Sequence, residues 1–280
     1  MTLKTTFFGT ALALALGAFS VGDALAAGGE IHIERQKWSF AGPFGHYDKG
    51  QIQRGYKIYR EVCSSCHSLN LVAFRHLQGK DGLGFTEEQI KALAADYEVE
   101  DGPNDDGDMF ERSGKPFDYH PAPFPNEQAA RASNNNAYPV DFSLIAKARG
   151  VSSGFPGFLV DLVTQYQEGG PDYIYSLLTG YQDAPEGVEV GEGQHYNISF
   201  VAGHALSMAP PLSDELVEYT DGTPQTVEQY ARDISSFLMW AAEPKLEARK
   251  EMGFVVMLFL IVFAFLMYYT KRKLWADVDH

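Results

Sequence analysis

The pattern of apolar and polar positions predicts a mainly α fold built from short amphipathic helices. Apolar residues recur at helical spacing, capping residues precede the repeats, and glycine or proline ends them. Helices are predicted at 48–62, 86–97, 141–149, 157–167, 171–179 and 223–243. The last has the clearest pattern, with Thr223 as its predicted N-cap and Pro244 beyond its end. Alternation typical of a strand is scarce, and only 196–201 is expected to form one.

A long apolar run near the C-terminus predicts a membrane anchor. Residues 252–270 are apolar or weakly polar throughout, and nineteen residues reach the length of a bilayer-spanning helix. Two tyrosines at its end fit an interfacial position, and Lys271, Arg272 and Lys273 follow as a positive-inside signal. We therefore expect a single-pass transmembrane helix at 251–270 and a cytoplasmic tail at 271–280. A buried core helix is the alternative.

The N-terminus has the pattern of a secretory signal. Lys4 precedes an apolar run at 7–21, and the small residues around Ala26 supply a cleavage site. We therefore predict a signal peptide at 1–26 and an exported domain at 27–250, on the periplasmic side of the cell inner membrane. A signal anchor that is retained is the alternative.

The net charge belongs entirely to the exported domain. The chain of 280 residues carries a formal charge of −15, and charges at 1–26 and 251–280 each sum to zero. This acidity argues against nucleic acid or an anionic membrane surface as a partner and favours a basic one. Residues 98–111 contain seven acids and no base, which predicts an exposed loop, with a solvated loop of no function as the alternative. Residues 115–139 are expected to be ordered mainly by what they pack on.

The chemistry is concentrated in Cys63-Ser64-Ser65-Cys66-His67, which contains both cysteines of the chain. C-x-x-C-H is the attachment signature of a c-type haem: each thiol bonds a vinyl group, and the adjacent histidine becomes an axial ligand of the iron. A thioredoxin-type pair would need a βαβ context, and a zinc site would need two further ligands at close spacing. Neither is evident around the motif.

A six-coordinate iron needs a second axial ligand. Met208 precedes Pro210 and Pro211, which fix the backbone beyond it and suit a loop that presents a thioether. His204 is the rival, since bis-histidine ligation also occurs and lowers the reduction potential. Haem propionates need cationic partners, and Arg149 is the best placed by sequence context. The alternatives for that role are Arg131 and Arg75.

Several segments, most of them outside the haem motif, resemble the cytochrome c1 family. The matching segments are Arg54–Tyr56, Glu61–Ser68, Ala73–Leu77, Asp101–Gly107, Ala137–Ser143, Tyr175–Tyr181, Met208–Pro211, Asp221–Pro224 and Phe237–Pro244. The resemblance implies a class I cytochrome c-like domain with insertions, one covalently attached haem c and one C-terminal anchor helix. The residues it assigns to the haem are Cys63, Cys66, His67, Met208, Arg149, Tyr173, Asn134 and Asn135.

The resemblance also implies a function and partners. The chain would be an electron-transfer subunit of the ubiquinol-cytochrome c reductase (cytochrome bc1) complex, beside cytochrome b in a homodimeric assembly. It would accept one electron from the Rieske iron-sulfur protein and pass it to a basic soluble cytochrome c, with 98–111 contributing to docking. Quinol oxidation would occur in other subunits, which leaves open whether this chain counts as an enzyme. The alternatives are an anchored haem peroxidase or reductase and a structural or haem-sensing module.

The chain departs from the family pattern at specific positions. Val140 stands where the family usually has a second proline, and Asn136 stands where a glycine usually follows two asparagines. Residues 150–170 resemble an extra segment of bacterial members. Some bacterial members have a disulfide that steadies the methionine loop, but this chain has no spare cysteine. Another contact must therefore hold Met208, and the two prolines and local packing are the candidates.

Overall fold

The computed structural model describes residues 31, 33–151 and 154–277. Contacts divide the chain into units of residues 1–31 and 32–280, and the described helices and strands belong to the second unit. The predicted signal peptide lies outside the described residues.

The described residues are mainly helical, which confirms the predicted fold class. The helices are α1 (Lys49–Glu61), α2 (Glu87–Ala95), α3 (Glu127–Ser133), α4 (Ile145–Ala148), α5 (Gly154–Thr164), α6 (Gly169–Thr179), α7 (Val227–Ala242) and α8 (Leu246–Leu274). Two small antiparallel sheets pair β1 (Glu98–Asp101) with β2 (Phe110–Ser113) and β3 (His195–Tyr196) with β4 (Ala205–Leu206). Short 3₁₀ turns lie at Cys63–Ser65 and Phe74–Leu77.

The close crossing of α1 and α7 organises the core, and α6 and α4 also pack on α7. At the crossing, a Cβ atom on Gly55 would lie 2.1 Å from the carbonyl oxygen of Asp233, so only glycine allows the two backbones to approach this closely. The largest fully buried side chains around it are Trp240, Tyr59, Tyr230, Phe40, Phe74 and Phe237.

A buried carboxylate joins the same two helices. Asp233 is fully buried on α7 and accepts hydrogen bonds from Arg54 Nε at 2.8 Å, from the Tyr219 hydroxyl at 2.9 Å and from Gln229 Nε2 at 2.8 Å. Arg54 also forms an ion pair with Asp221 at 2.9 Å. A buried charge with this many donors is compensated, and removing one donor would leave it short of partners.

The start of α7 differs from the prediction. Thr226, not Thr223, is the N-cap and accepts a hydrogen bond from the Gln229 amide. The Thr223 amide instead donates to Asp221 Oδ1 at 3.0 Å, so this threonine belongs to the preceding turn.

The other differences also reflect local turns. The expected strand at 196–201 is paired only at Tyr196, with Ala205, and at Asn197, through an isolated bridge with Tyr181. It ends there because Asn197 Oδ1 accepts a hydrogen bond from the Ser199 amide and bends the chain. The acidic loop proves to be a hairpin formed by β1 and β2. Helix α3, with Asn126 as its N-cap, lies within residues 115–139, the tract expected to be ordered mainly by what it packs on.

The apolar run at 252–270 lies within α8, a helix of 29 residues that is long and apolar enough to cross a membrane. None of its most apolar window is buried inside the protein, which argues against a core helix. The beginning of α8 is fixed to the domain: the Tyr47 amide donates to Glu247 at 2.8 Å, and Lys250 Nζ donates to the carbonyl of Phe40 at 2.5 Å.

Candidate functional site

The two cysteines lie in a tight turn directly after α1. Cys63 begins the 3₁₀ turn, and its carbonyl accepts hydrogen bonds from the amides of Cys66 at 3.1 Å and His67 at 2.8 Å. Both thiols are free, and Cys63 packs against the edge of the core. Burial raises the pKa of the Cys63 thiol to about 12, so this thiol is protonated at neutral pH.

The His67 imidazole has a defined tautomer. Its Nδ1 lies 2.8 Å from the carbonyl oxygen of Val140, and because a carbonyl only accepts, Nδ1 must carry the proton. Burial lowers the pKa of His67 and favours the neutral ring. The ring also stacks on Phe142, with centroids 4.0 Å apart. The lone pair is therefore on Nε2, which is the arrangement of a histidine that binds a metal.

The segment that contacts His67 is itself tied to the residues after the motif. Asp141 accepts hydrogen bonds from the Ser68 hydroxyl at 2.8 Å and the Asn70 amide at 2.9 Å. Burial opposes its ionisation, but these bonds and one from Ser143 hold the pKa of Asp141 below its usual value. Replacing a proline by Val140 leaves the carbonyl that His67 requires in place.

Met208 lies just after β4 and is partly buried. The Tyr181 hydroxyl donates a hydrogen bond to its backbone carbonyl at 3.1 Å. Tyr181 is itself largely buried, which raises its pKa well above the usual value. Pro210 lines a cavity of about 540 Å³ together with Tyr181 and His195. The hydrogen bond from Tyr181 thus holds the methionine loop without a disulfide.

His204 is part of the hairpin that precedes Met208. It is buried, has a left-handed backbone (φ 66°) and donates from Nδ1 to the carbonyl of Asn197 at 3.0 Å. Its ring also lies beside Tyr196, with centroids 5.6 Å apart. These contacts give His204 a structural task in the hairpin.

Arg149 and Tyr173 are brought together. Arg149 is exposed at the end of α4, while Tyr173 is buried on α6. Burial raises the pKa of Tyr173, and the nearby Arg149 charge partly opposes this. The alternative cation Arg131 is engaged elsewhere, in an ion pair with Glu127 at 2.7 Å.

The asparagine pair lies at the end of α3. Asn134 is the C-cap and donates from Nδ2 to the carbonyl of Ala130 at 2.7 Å. Asn135 approaches Gly193 in the loop before β3. Asn136 has φ 63°, a conformation that glycine adopts without strain and asparagine tolerates, which accounts for the substitution of the family glycine. Within the described residues, no hydrogen bond joins this pair to the histidine or methionine.

The acidic tract presents three charges at its tip. Asp105, Asp106 and Asp108 are exposed and form no ion pair within the described residues, whereas Asp101 is paired with Arg112 at the base. The amides of Asp106 and Asp108 donate to the side chain of Asn104, which fixes the turn. The unpaired tip is therefore the most acidic part of this surface.

Sequence reasoning missed the residues that support the candidate ligands. Tyr181, Asp141 and Phe142 all lie in segments that resemble the family, but their partners are far away in sequence. The proline-rich context of Met208 was a usable signal for its loop, whereas nothing near Tyr181 indicated which carbonyl it would contact.

The fold defines a mainly helical domain followed by one helix able to cross a membrane. The model of the Cytochrome C1 family matches residues 38–278, and the chain belongs to this family. A protein of Bradyrhizobium diazoefficiens named cytochrome b/c1 is 55% identical over 94% of this chain, which spans only 39% of that relative's length. Cytochrome c1 of Blastochloris viridis is 45% identical, covering 99% of this chain and 98% of the relative. A mitochondrial cytochrome c1, heme protein, of Schizosaccharomyces pombe is 43% identical over 89% of this chain and 74% of its own length.

Proposed function

We propose that the chain is the haem-carrying electron-transfer subunit of a cytochrome bc1 complex. It would take one electron from the Rieske iron-sulfur protein and deliver it to a soluble cytochrome c. Membership of the family supports this role, and the name of the Schizosaccharomyces pombe relative, a heme protein, supports the cofactor. The name cytochrome b/c1 of the Bradyrhizobium relative supports cytochrome b as a neighbour.

The tautomer of His67 is the observation that carries this proposal. Nε2 is the unprotonated nitrogen, and two free thiols lie within the same turn. The residues fit one covalent haem c, with Cys63 and Cys66 bonded to its vinyl groups and His67 and Met208 as axial ligands. Bound haem supplies a one-electron couple, and the protein orients it and limits access to the iron.

The remaining assignments complete the proposal. Arg149 and Tyr173 would lie near a haem propionate, and Asn134 and Asn135 would lie close to the haem. The proposed boundaries are a signal peptide at 1–26, a periplasmic domain at 27–250, an anchor at 251–270 and a cytoplasmic tail at 271–280. The single-pass chain would reside in the cell inner membrane, within a homodimeric complex. The long apolar α8 supports the anchor.

The cofactor is tested by haem staining of the chain, isolated from membranes, on a denaturing gel. Cys63→Ala and Cys66→Ala together should abolish the stain, whereas a stain that persists would refute covalent attachment. Met208→Leu should remove the thioether-to-iron charge-transfer band and allow carbon monoxide to bind the reduced protein. Met109→Leu is the control, because Met109 is 54% exposed near the hairpin tip. Retention of the band in Met208→Leu would assign the ligand to another methionine, whereas absence of the band from the unaltered chain would favour His204.

The assembly is tested by what purifies with the chain under mild detergent. Cytochrome b and a Rieske protein should accompany it, and reduced Rieske protein should transfer an electron to the haem. Absence of both proteins from a preparation that retains haem would contradict the complex while leaving the cofactor intact.

The acidic hairpin tip would contribute to docking of a basic soluble cytochrome c. Changing Asp105, Asp106 and Asp108 to Asn should flatten the dependence of the electron-transfer rate on salt, because exposed charges act through a screened field. A matched triple of Glu186, Glu189 and Glu192 to Gln removes three exposed acids from the loop beside Pro210. If only the second triple variant changes the salt dependence of the rate, the docking surface is that loop and not the hairpin tip.

A further inference from the structure

Helix α5 presents an unusual apolar surface. Its 11 residues contain one charged side chain, and its large apolar residues are exposed. They are Phe155, Phe158, Leu159, Val160, Leu162 and Val163, with 82% of Phe155 and 83% of Val163 accessible. Contiguous exposed apolar patches on this scale mark a contact with a partner or a membrane.

The one charge on α5 is neutralised by the protein. Asp161 accepts two hydrogen bonds from Arg35 Nη2, at 2.9 and 3.1 Å, and only 17% of its side chain is exposed. The Arg35 guanidinium also lies 4.2 Å from the ring centroid of Tyr166. The outward face of α5 is therefore apolar and uncharged, which suits a low-dielectric environment.

One segment of the chain, residues 35–40, contacts both α5 and the beginning of α8. Arg35 forms the ion pair with Asp161 on α5, and five residues further along, the carbonyl of Phe40 accepts a hydrogen bond from Lys250 Nζ on α8 at 2.5 Å. Five residues span at most about 18 Å, so α5 lies near the beginning of α8. Lys250 lies two residues before the apolar run at 252–270. Phe44, which is 75% exposed, contacts Phe254 at the beginning of that run, with ring centroids 5.8 Å apart. The apolar face of α5 therefore lies near the apolar surface where the membrane-spanning run begins.

We propose that α5 lies in the interfacial layer of the lipid bilayer as a second membrane contact beside α8. Phe155 is non-helical, and the continuous helical part at 156–164 is about 14 Å long, too short to cross a bilayer but long enough to lie along its surface. The helix has no lysine or arginine, and the acidic domain would be repelled by anionic lipid. The contact therefore depends on apolar burial and not on charge. This inference rests on α8 spanning the membrane and is independent of haem.

Photo-crosslinking in native membranes tests the contact. A benzophenone amino acid replaces Phe155 in the full chain, and the matched control carries it at Phe117, a 51% exposed phenylalanine beside the acidic hairpin. Illumination should give a phospholipid adduct at 155, detected by mass spectrometry, and little or none at 117. An adduct at 155 with another polypeptide, including a second copy of this chain, would overturn the proposal. No adduct at 155 would overturn it as well.

The ion pair provides a second test. Arg35→Gln leaves the Asp161 carboxylate without its guanidinium partner on the apolar helix, so the yield of lipid adduct at 155 should fall several-fold. The double variant Arg35→Gln with Asp161→Asn should restore it. Yields that follow the content of anionic lipid, or that ignore both variants, would contradict a contact based on an uncharged apolar face. The readout needs no electron transfer, so it separates failure of this inference from failure of the proposed function.

Discussion

The crossing of α1 and α7 allows a sharp test of the fold with Gly55→Ala. The new Cβ would lie 2.1 Å from the Asp233 carbonyl oxygen and 2.6 Å from Phe237 Cβ, whereas real Cβ contacts stay above 3.0 Å. The helices would have to separate by roughly 1 Å in a densely packed core, because neither obstacle is a flexible side-chain end. Overpacking of this kind costs about 3 kcal/mol, at the upper end of its usual range.

Two effects oppose each other in this variant, and their magnitudes decide whether its free energy of unfolding falls or rises. Alanine stabilises a helix interior by about 1 kcal/mol relative to glycine, so the expected net loss is about 2 kcal/mol. Gly50→Ala is the matched control on the same helix, because its Cβ would meet only side-chain atoms at 3.4 and 3.5 Å. It should leave stability unchanged or raise it by up to about 1 kcal/mol.

The assay is denaturant unfolding of the detergent-solubilised chain, followed by far-ultraviolet circular dichroism. Helix α8 contributes the same signal to all variants, so the transition reports the domain, and the midpoint shift gives the change in free energy. If Gly55→Ala unfolds at the midpoint of the unaltered chain or of Gly50→Ala, the close crossing does not exist as described.

Other predictions follow from buried polar groups. Burial lowers the pKa of His120 from 6.5 to about 4, so between these pH values the folded chain binds fewer protons than the unfolded chain. The free energy of unfolding should therefore fall by about 3 kcal/mol as the pH drops from 6.5 to 4. His120→Gln should flatten this slope in denaturant titrations at several pH values, and an unchanged slope would assign it to other groups. Tyr181→Phe should lower the free energy of unfolding by about 1 kcal/mol, weaken the thioether-to-iron charge-transfer band and lower the midpoint potential. If the band and the potential are unaltered, Tyr181 does not position Met208. Arg54→Met should destabilise the domain by about 2–4 kcal/mol in the same unfolding assay, because Asp233 stays buried and charged. The control Lys91→Met breaks an exposed ion pair and should destabilise it by less than about 1 kcal/mol.

The sequence predicted well those elements whose signals are local. The Thr86 hydroxyl accepts a hydrogen bond from the Gln89 amide, and Gln89 Oε1 accepts one from the Thr86 amide, as a capping box requires. The apolar repeat of α7 and the long run in α8 also identify their helices correctly. In each case the side chains that define the element lie within a few turns of one another.

The predictions failed where a residue has a distant partner. The helix expected at 141–149 begins only at Ile145, because Asp141 and Ser143 are used to hold residues 68–71. The hairpin at 98–113 was missed because Arg112, just beyond the acidic tract, neutralises Asp101 and allows two acidic strands to pair. Local composition does not record such contacts.

The hydrogen bond between His67 and Val140 connects residues 73 positions apart. The cysteines, by contrast, lie on the turn that follows α1 and need only that short stretch of chain. Under the proposed function, attachment of the cofactor and alignment of its ligand would therefore be separate events in maturation. The pentapeptide would be available to the attachment machinery before the domain folds. The docking of residues 140–143 would later fix the His67 tautomer that binds the iron.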